Sequence, residues 1–251
     1  MSRPLEILYE DNHLLAINKP AEIATMGATA GKPSMHGLAQ RYIKQKYNKP
    51  GNVYLGVVSR LDAVVSGVLL FARTSKAAAR LSAQFAAGSP EKIYLAVLQS
   101  ELRKNQLGHP PGRISDAGHN VLEDWLWKNE GKHRMEVVSR DQPGAKFARL
   151  AWKSLAVANG RSLVAIRLET GRKHQIRVQW TDRGYPIMGD VKYGATRHRH
   201  PGIGLHAARL TVQHPTKKSA IEFAAPPPPW WRAVGFPDEL LDVASLSWRG
   251  V

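Results

Sequence analysis

The sequence predicts a fold of the α+β class. Apolar runs that suit β-strands recur along the chain, and two segments, 34–47 and 75–87, carry apolar side chains at helical spacing. Asn159-Gly160 stands between two of the strand-like runs, and this dipeptide is the strongest short-range signal of a β-hairpin. Strands joined by short turns, with helices between other strands, are typical of an α+β domain.

Composition favours a partner that carries many negative charges. The 251 residues contain 36 Lys and Arg against 20 Asp and Glu, which gives a formal net charge of +16. Such an excess favours a phosphate backbone through counterion release, although it can also serve solubility alone. An anionic membrane surface is the other candidate, but the sequence shows no basic amphipathic stretch with an aromatic face. Nucleic acid is therefore the leading prediction.

Two absences in the sequence exclude further classes. The chain has no cysteine, which excludes disulfides, thiolate metal sites and cysteine nucleophiles. The N-terminus has no apolar signal core, and nowhere do 18 apolar residues run together. We therefore expect a cytoplasmic protein, and we expect it to be a monomer.

The first third of the chain begins with a predicted strand pair. Residues 5–19 predict a strand, a turn at Glu10-Asp11-Asn12 and a second strand, which ends at Asn18-Lys19-Pro20 because proline cannot continue a ladder. A helix is predicted over residues 34–47, with Ser34 as its cap. Its basic face is either exposed to solvent or in contact with phosphate groups of a partner.

The stretch 57–73 places one carboxylate before an unbroken apolar run. Asp62 lies two residues after Arg60 and precedes a predicted Ser66-Gly67 turn, and residues 68–72 predict a buried strand. An acid beside a buried strand is costly to ionise unless a cation or hydrogen-bond donor accompanies it. From these residues alone, Asp62 is either a functional carboxylate or a structural one, paired with Arg60 or capping the turn.

The remaining elements are predicted from local signals. A second helix over residues 75–87 is capped by Ser75, and residues 92–98 predict a strand. Residues 103–120 predict an irregular surface loop. Residues 148–158 and 162–168 predict the two strands of the Asn159-Gly160 hairpin. Gly171 then provides a turn that starts a helix in the basic segment 169–179, and residues 226–229 predict a polyproline segment.

Several segments resemble one known family. Residues 59–72 read Ser-Arg-Leu-Asp-Ala-Val-Val-Ser-Gly-Val-Leu-Leu-Phe-Ala, which resembles the His-Arg-Leu-Asp-x-x-Thr-Ser-Gly-Leu-Leu-Leu-Phe-Ala segment of the RluA family of pseudouridine synthases. Ser59 and Val65 depart from it. Segments 92–96, 170–177, 184–194 and 205–207 resemble further family motifs, and the resemblance runs in the family's order from about residue 5 to about residue 229.

The resemblance implies a fold and a reaction. It implies a pseudouridine synthase-like fold with a mixed, mostly antiparallel sheet, flanking helices and a basic cleft, formed by residues 1–251 as one catalytic domain without an N-terminal S4 domain. The implied activity is isomerisation of specific uridines in structured rRNA or tRNA, without cofactor or metal. Asp62 is the implied catalytic residue, either as a nucleophile or as a base that removes a sugar proton.

The same resemblance assigns roles to other residues. Arg177 is expected to pair with Asp62 and keep it ionised, and Tyr94 is expected to stack on the uracil. Arg60 is the candidate to fill the gap that the extruded nucleotide leaves. The remaining expected RNA contacts are basic residues: Arg172, Lys173, Arg197 and Arg199.

Several residues in these segments also have a purely structural interpretation. A tyrosine in a strand is commonly half-buried packing, His174 is more typical of a structural histidine, and Asp190 is typical of a loop anchor. His198 and His200 alternate with arginines, which argues against metal ligation.

Two other functions compete with the proposed enzyme. Ser59 and Val65 favour an RNA-binding or assembly factor that kept the fold and lost the chemistry. An Asp-dependent hydrolase is disfavoured, because no second carboxylate lies within ten residues of Asp62 to hold Mg²⁺.

Overall fold

The computed structural model describes residues 5–27, 33–102, 113–114, 120–243 and 248. Their strands are β1 (Ile7–Glu10), β2 (Leu14–Lys19), β3 (Gly56–Val57), β4 (Ser66–Ala72), β5 (Glu91–Leu98), β6 (Arg113–Ile114), β7 (Asn120–Asn129), β8 (Arg134–Val138), β9 (Lys146–Ala158), β10 (Arg161–Leu168), β11 (Leu205–Gln213) and β12 (Ala220–Ala224). Their α-helices are α1 (Met35–Lys46), α2 (Ser75–Ala86), α3 (Gln175–Asp182) and α4 (Asp238–Leu241). Two 3₁₀ turns span Val191–Tyr193 and Pro229–Val234.

The chain divides into two compact units. The first comprises Met1–Glu91 and Ala207–Pro228, and the second comprises Lys92–His206 and Pro229–Val251. Each unit contains strands and helices, so the predicted α+β class is confirmed. The expectation of one catalytic domain stays a prediction.

The first unit is built on strands in the order β1-β2-β4-β11-β12, with β3 beside β4. The pairs β1–β2, β2–β4 and β11–β12 are antiparallel. The carboxylate of Asp11 accepts the backbone N–H groups of His13 and Leu14 at 2.7 and 2.8 Å, which fixes the β1–β2 turn. The predicted strand, turn and strand over residues 5–19 are confirmed.

Helices cover both faces of the first unit's central strands, which explains the unbroken apolar run in β4. Every residue of β4 is buried. Because side chains alternate along a strand, odd-numbered residues face one helix and even-numbered residues face the other. On the α1 side the cluster includes Leu15, Ile17, Leu69, Phe71, Met35, Ala39 and Ile43. On the α2 side it includes Leu14, Ala16, Val68, Leu70, Ala77, Leu81 and Leu210.

The helix starts follow N-capping chemistry. Ser34 caps α1 as predicted, because its hydroxyl accepts the backbone N–H of Gly37 at 3.2 Å. The cap of α2 is Thr74, whose hydroxyl accepts the N–H of Ala77 at 3.2 Å. The prediction of Ser75 as cap was therefore wrong by one residue.

The second unit contains strands in the order β5-β10-β9-β7-β6, with β8 beside β7. Its pairs are antiparallel, including the long β9–β10 ladder. Asn159 and Gly160 connect β9 to β10 with φ angles of 49° and 73°. Positive φ at both turn residues is the requirement that favours Asn-Gly, so the predicted hairpin is confirmed.

Helix α3 packs on the strands of the second unit through an almost continuous buried segment. Val178 contacts a cluster that contains Leu126 and Met135, and the rings of Trp152 and Trp180 meet edge to face at 5.0 Å. The helix begins at Gln175, where His174 adopts a left-handed φ of 53°. The predicted start at the Gly171 turn was therefore four residues early.

The second unit also contains strands that local signals did not predict. β7 and β8 form a hairpin between residues 120 and 138. The predicted surface loop 103–120 lies mainly outside the described residues. Its described part pairs with β7, since Arg113 and Ile114 align with Val121 and Asn120.

Candidate active site

Asp62 lies in the first unit, in the loop that joins β3 to β4. Its side chain is half-buried, whereas Arg60 is exposed. The backbone N–H of Val65 donates to the carbonyl oxygen of Asp62 at 3.1 Å, which closes the turn before β4. The loop is therefore compact at the point where it presents the carboxylate.

The residue before Asp62 is fixed by a buried threonine. The hydroxyl of Thr25 donates to the carbonyl oxygen of Leu61 at 2.8 Å and accepts the N–H of the same residue at 3.1 Å. Thr25 is 3% exposed, so neither bond competes with water. Sequence reasoning missed Thr25, because 36 residues separate it from Leu61.

The residue after Asp62 is fixed by a buried ammonium. Lys19 is fully buried, and its Nζ donates to the carbonyl oxygens of Pro20, Ile23 and Ala63 at 2.8, 2.9 and 3.1 Å. The backbone N–H of Glu22 donates to the same Ala63 oxygen at 2.7 Å. The segment 19–25 therefore holds the backbone on both sides of the candidate carboxylate.

The electrostatics of Lys19 connect it to Asp62. Burial lowers the pKa of Lys19 from its ordinary value of 10.5 to about 7, and the negative charge of Asp62 acts in the opposite direction. Three carbonyl acceptors match the three N–H groups of an ammonium, so the geometry favours the charged form. The sequence signal for this residue was a lysine in an apolar strand directly before a proline.

The start of β4 is fixed by close backbone approach. Gly67 has a φ of 115°, and a Cβ atom there would lie 2.2 Å from the carbonyl oxygen of Ala207 in β11. Only glycine fits such a position. The Ser-Gly pair after Asp62 therefore sets how closely β11 approaches the end of the loop.

Tyr94 lies in the second unit, at the middle of β5. It aligns with Ile166 of β10 and is partly buried, between the fully buried positions Ile93 and Leu95. The alternation turns its ring to the opposite side of the strand from these two neighbours.

Arg177 also lies in the second unit, in α3. It is 4% exposed, and its Nε and Nη2 donate to the two carboxylate oxygens of Asp190 at 2.6 and 2.8 Å. The guanidinium carbon lies 5.0 Å from the centre of the Tyr193 ring. This bidentate pair holds both the helix and the loop that follows it in fixed positions.

Two further contacts support this arrangement. Asp190 accepts the backbone N–H groups of Tyr193 and Ala195 at 2.9 and 3.1 Å through its carbonyl, which agrees with its interpretation as a loop anchor. His174 lies 2.8 Å from the hydroxyl of Tyr193, so it is hydrogen-bonded within the fold.

The predicted RNA-binding residues are all on the surface of their units. Arg60 belongs to the first unit, whereas Arg172, Lys173, Arg197 and Arg199 belong to the second, and all five are exposed. The Nε of Arg172 donates to the carbonyl oxygen of Phe147 at 2.9 Å, which fixes its stem. Exposed arginines with fixed stems can contact phosphate oxygens at low entropic cost.

The described part of the chain shows neither a metal site nor a membrane-spanning helix. In it, no group of three or more His, Asp or Glu side chains is placed to hold a metal ion. No helix in these ranges is long and apolar enough to cross a membrane.

The sequence matches known proteins over most of its length. The sequence model of a family described as RNA pseudouridylate synthase matches residues 13–181, a range that includes Asp62, Tyr94 and Arg177. The ribosomal large subunit pseudouridine synthase D of Zymomonas mobilis is 32% identical over 236 residues, which cover 90% of this chain and 70% of that protein. The tRNA pseudouridine synthase C of Pectobacterium carotovorum is 30% identical over an alignment of 265 positions, and the alignment covers 98% of this chain and 63% of that protein.

A solved structure supports the fold. The human RNA pseudouridylate synthase domain containing 4 superposes with a TM-score of 0.69 and covers 90% of each chain. The two sequences are 20% identical. The shared architecture therefore confirms the predicted fold.

Proposed function

The chain belongs to the RNA pseudouridylate synthase family, whose members are isomerases that act on RNA, and we propose that it converts specific uridines of structured rRNA or tRNA to pseudouridine with Asp62 as the catalytic residue and without a cofactor. The observation that carries the proposal is the support of Asp62 on both sides by buried hydrogen bonds. Thr25 fixes the backbone of Leu61, and Lys19 fixes the carbonyl of Ala63. A reacting group benefits from such fixed geometry, whereas a surface carboxylate does not need it.

The proposed reaction balances without an external reagent. The bond between C1′ of the ribose and N1 of uracil breaks, the base turns, and a bond between C1′ and C5 forms. C5 loses a proton and N1 gains one, so the net change is an isomerisation. An ionised carboxylate serves either as the nucleophile or as the base that takes a sugar proton.

Roles for Tyr94 and Arg177 are part of the proposal and rest on their sequence motifs. Tyr94 would stack on the uracil, and Arg177 would stabilise the ionised form of the catalytic carboxylate, since a guanidinium favours a nearby negative charge. Within the second unit the guanidinium is held by its buried salt bridge with Asp190.

The charge of the chain and its relatives support the proposed substrate class. A net charge of +16 favours a polyanion. The relatives named above are, by their names, a synthase for the large ribosomal subunit and a synthase for tRNA. Structured RNA is therefore the proposed substrate, and the cytoplasmic location and monomeric state stay predictions.

Tritium release tests the proposed activity. Transcripts of rRNA and tRNA that carry tritium at C5 of uridine lose the label to water only when C5 gives up its proton. We expect release with the wild-type protein on at least one transcript, and pseudouridine in the digested product. Binding to every transcript without release from any of them would contradict the proposal and favour the RNA-binding factor.

A further inference from the structure

An aromatic stack on the surface of the second unit combines loop residues with the start of the 3₁₀ turn Pro229–Val234. The rings of His200 and Trp230 are parallel to within 4°, with centres 4.9 Å apart. His198 contacts the same indole at 5.0 Å with a tilt of 40°. His200 is exposed and Trp230 is half-buried, so the stack ends at the protein surface with the imidazole outermost.

The inner end of the stack is rigidly anchored. Trp231 is fully buried, lies 5.8 Å from Trp230 and meets the ring of His206 edge to face at 6.1 Å. The side-chain amide of Asn159 donates to the carbonyl oxygen of Val234 at 3.0 Å, which fixes the far end of the 3₁₀ turn. Trp230 is therefore a fixed platform, which keeps the entropic cost of stacking low.

His198 supports the loop from within. Its Nδ1 accepts the backbone N–H of His200 at 3.0 Å, and its ring packs directly on Gly189, where a Cβ atom would lie 2.1 Å from the imidazole. Burial lowers the pKa of His198, and the neighbouring His200 and Arg161 act in the same direction. The neutral imidazole can therefore keep accepting the backbone hydrogen bond near pH 7.

Arginines flank the histidines of this stack in the sequence. Arg197 and Arg199 are exposed on either side of His198 in the chain, and Arg161 lies close enough for its charge to act on that histidine. No Asp or Glu occurs in the sequence between positions 190 and 222. Arginines beside an aromatic platform are the combination that binds single-stranded nucleic acid, because cations contact phosphates while bases stack on rings.

We propose that Arg197, Arg199, His200 and Trp230 form a binding surface for a single-stranded segment of the RNA substrate. One base stacks on the exposed side of His200, which Trp230 holds from behind, and the two arginines contact the adjacent phosphates. The inference deepens the proposed function and rests on it. It adds a position for base stacking to Arg197 and Arg199, which are the expected RNA contacts in this loop.

The experiment measures binding apart from catalysis. The probe is a fluorescein-labelled oligouridylate, and all variants are made in Asp62→Asn protein, so that turnover does not enter. His200→Asn should weaken binding by roughly five-fold or more, because stacking of a base on an aromatic ring is lost. His200→Phe keeps a ring and should bind like the parent. Arg197→Ala/Arg199→Ala should lower the slope of log K against log salt by about 1.4, as expected for two lost single-strand phosphate contacts.

Matched controls separate local contact from total charge. Lys132→Ala/Arg134→Ala also removes two positive charges, but from side chains that pair with Glu136. The salt slope of this variant should stay close to that of the parent protein. His133→Asn removes another exposed histidine, at a left-handed position that Asn tolerates, and affinity should not change. Melting temperatures equal to the parent's show that each variant is folded.

The inference is overturned if His200→Asn binds like His133→Asn, or if the two double variants have the same salt slope. The inference is also overturned if labelled poly-glutamate binds as tightly as the oligouridylate, because the surface would then suit an acidic protein segment. Failure of the proposed function is a separate result, because it appears as absent tritium release from the protein that carries Asp62.

Discussion

The ammonium of Lys19 donates a hydrogen bond to the carbonyl oxygen of Ala63 at 3.1 Å. This contact joins the buried last residue of β2 to the residue directly after Asp62. The same Nζ also donates to Pro20 and Ile23, so all three of its N–H groups have backbone acceptors. A lysine in this position fixes a loop instead of contacting solvent, and the negative charge of Asp62 raises the pKa of Lys19 against the larger effect of burial.

Lys19 should give the protein a distinctive pH dependence of stability. Its pKa is about 7 in the folded protein and has its ordinary value of 10.5 in the unfolded chain. Between these pH values the unfolded state binds more protons, so the contribution of Lys19 to the free energy of unfolding rises with pH, on the order of 5 kcal/mol in total. Urea unfolding of the wild type and of Lys19→Met at pH 6 to 10 measures it. If the free energy of unfolding varies with pH in the same way for the two proteins, Lys19 does not titrate in this window.

Thr25→Val should impair the proposed reaction, because it removes the hydroxyl that binds both backbone groups of Leu61. We expect the unfolding free energy to fall by about 1–2 kcal/mol and kcat to fall about tenfold or more, with a smaller effect on KM. Thr25→Ser keeps the hydroxyl and should restore most of kcat. Equal tritium-release rates for Thr25→Val and the wild type would remove Thr25 from the positioning role.

Gly67→Ala should destabilise the protein strongly, since the new Cβ atom would lie 2.2 Å from the carbonyl oxygen of Ala207. Backbone must move to relieve this clash, and we expect a loss of about 3 kcal/mol or more. Gly51→Ala is the matched control. Gly51 also has a positive φ, of 75°, but nothing lies within 4 Å of the added atom. A thermal melt that shows equal losses for the two variants would contradict the close approach.

Asp190→Asn should destabilise the second unit, because it leaves the buried guanidinium of Arg177 without its carboxylate. Removal of one partner from a buried ion pair costs about 3–5 kcal/mol. The control is Asp238→Asn, since Asp238 pairs with Arg232 on the surface, where each side chain is 70% exposed. That change should cost less than about 1 kcal/mol. Comparable urea midpoints for the two variants would mean that the Arg177 pair contributes no more than a surface pair.

The fold was predictable from sequence where local signals decide the structure. The Asn159-Gly160 turn requires positive φ at two residues, which few sequences allow, and the apolar alternation on both sides of it sets the strands. The cap of α2 was misplaced because Thr74 and Ser75 are both good capping residues and only backbone geometry chooses between them. The start of α3 was misplaced because His174 takes the left-handed position that the sequence suggested for a glycine.

The candidate site was predictable only in part. Asp62, Tyr94 and Arg177 stand in motifs, so a resemblance finds them. The residues that hold the Asp62 loop do not stand in its motif: Thr25 is 36 residues away from Leu61, and Lys19 is 44 residues away from Ala63. The lysine before a proline marks Lys19 in the sequence. Its acceptor Ala63 is brought to it only when the chain folds back on itself, and no local pattern encodes that pairing.

The most direct test of the central claim is pseudouridine formation by Asp62→Asn. The amide has almost the shape of the carboxylate but can act neither as the nucleophile nor as the base. The variant should therefore keep its melting temperature and most of its affinity for RNA, while tritium release falls below detection. Asp141→Asn, an exposed position that contacts Ser139, should release tritium at the wild-type rate. Release by Asp62→Asn at a measurable fraction of the wild-type rate would contradict the catalytic assignment of Asp62.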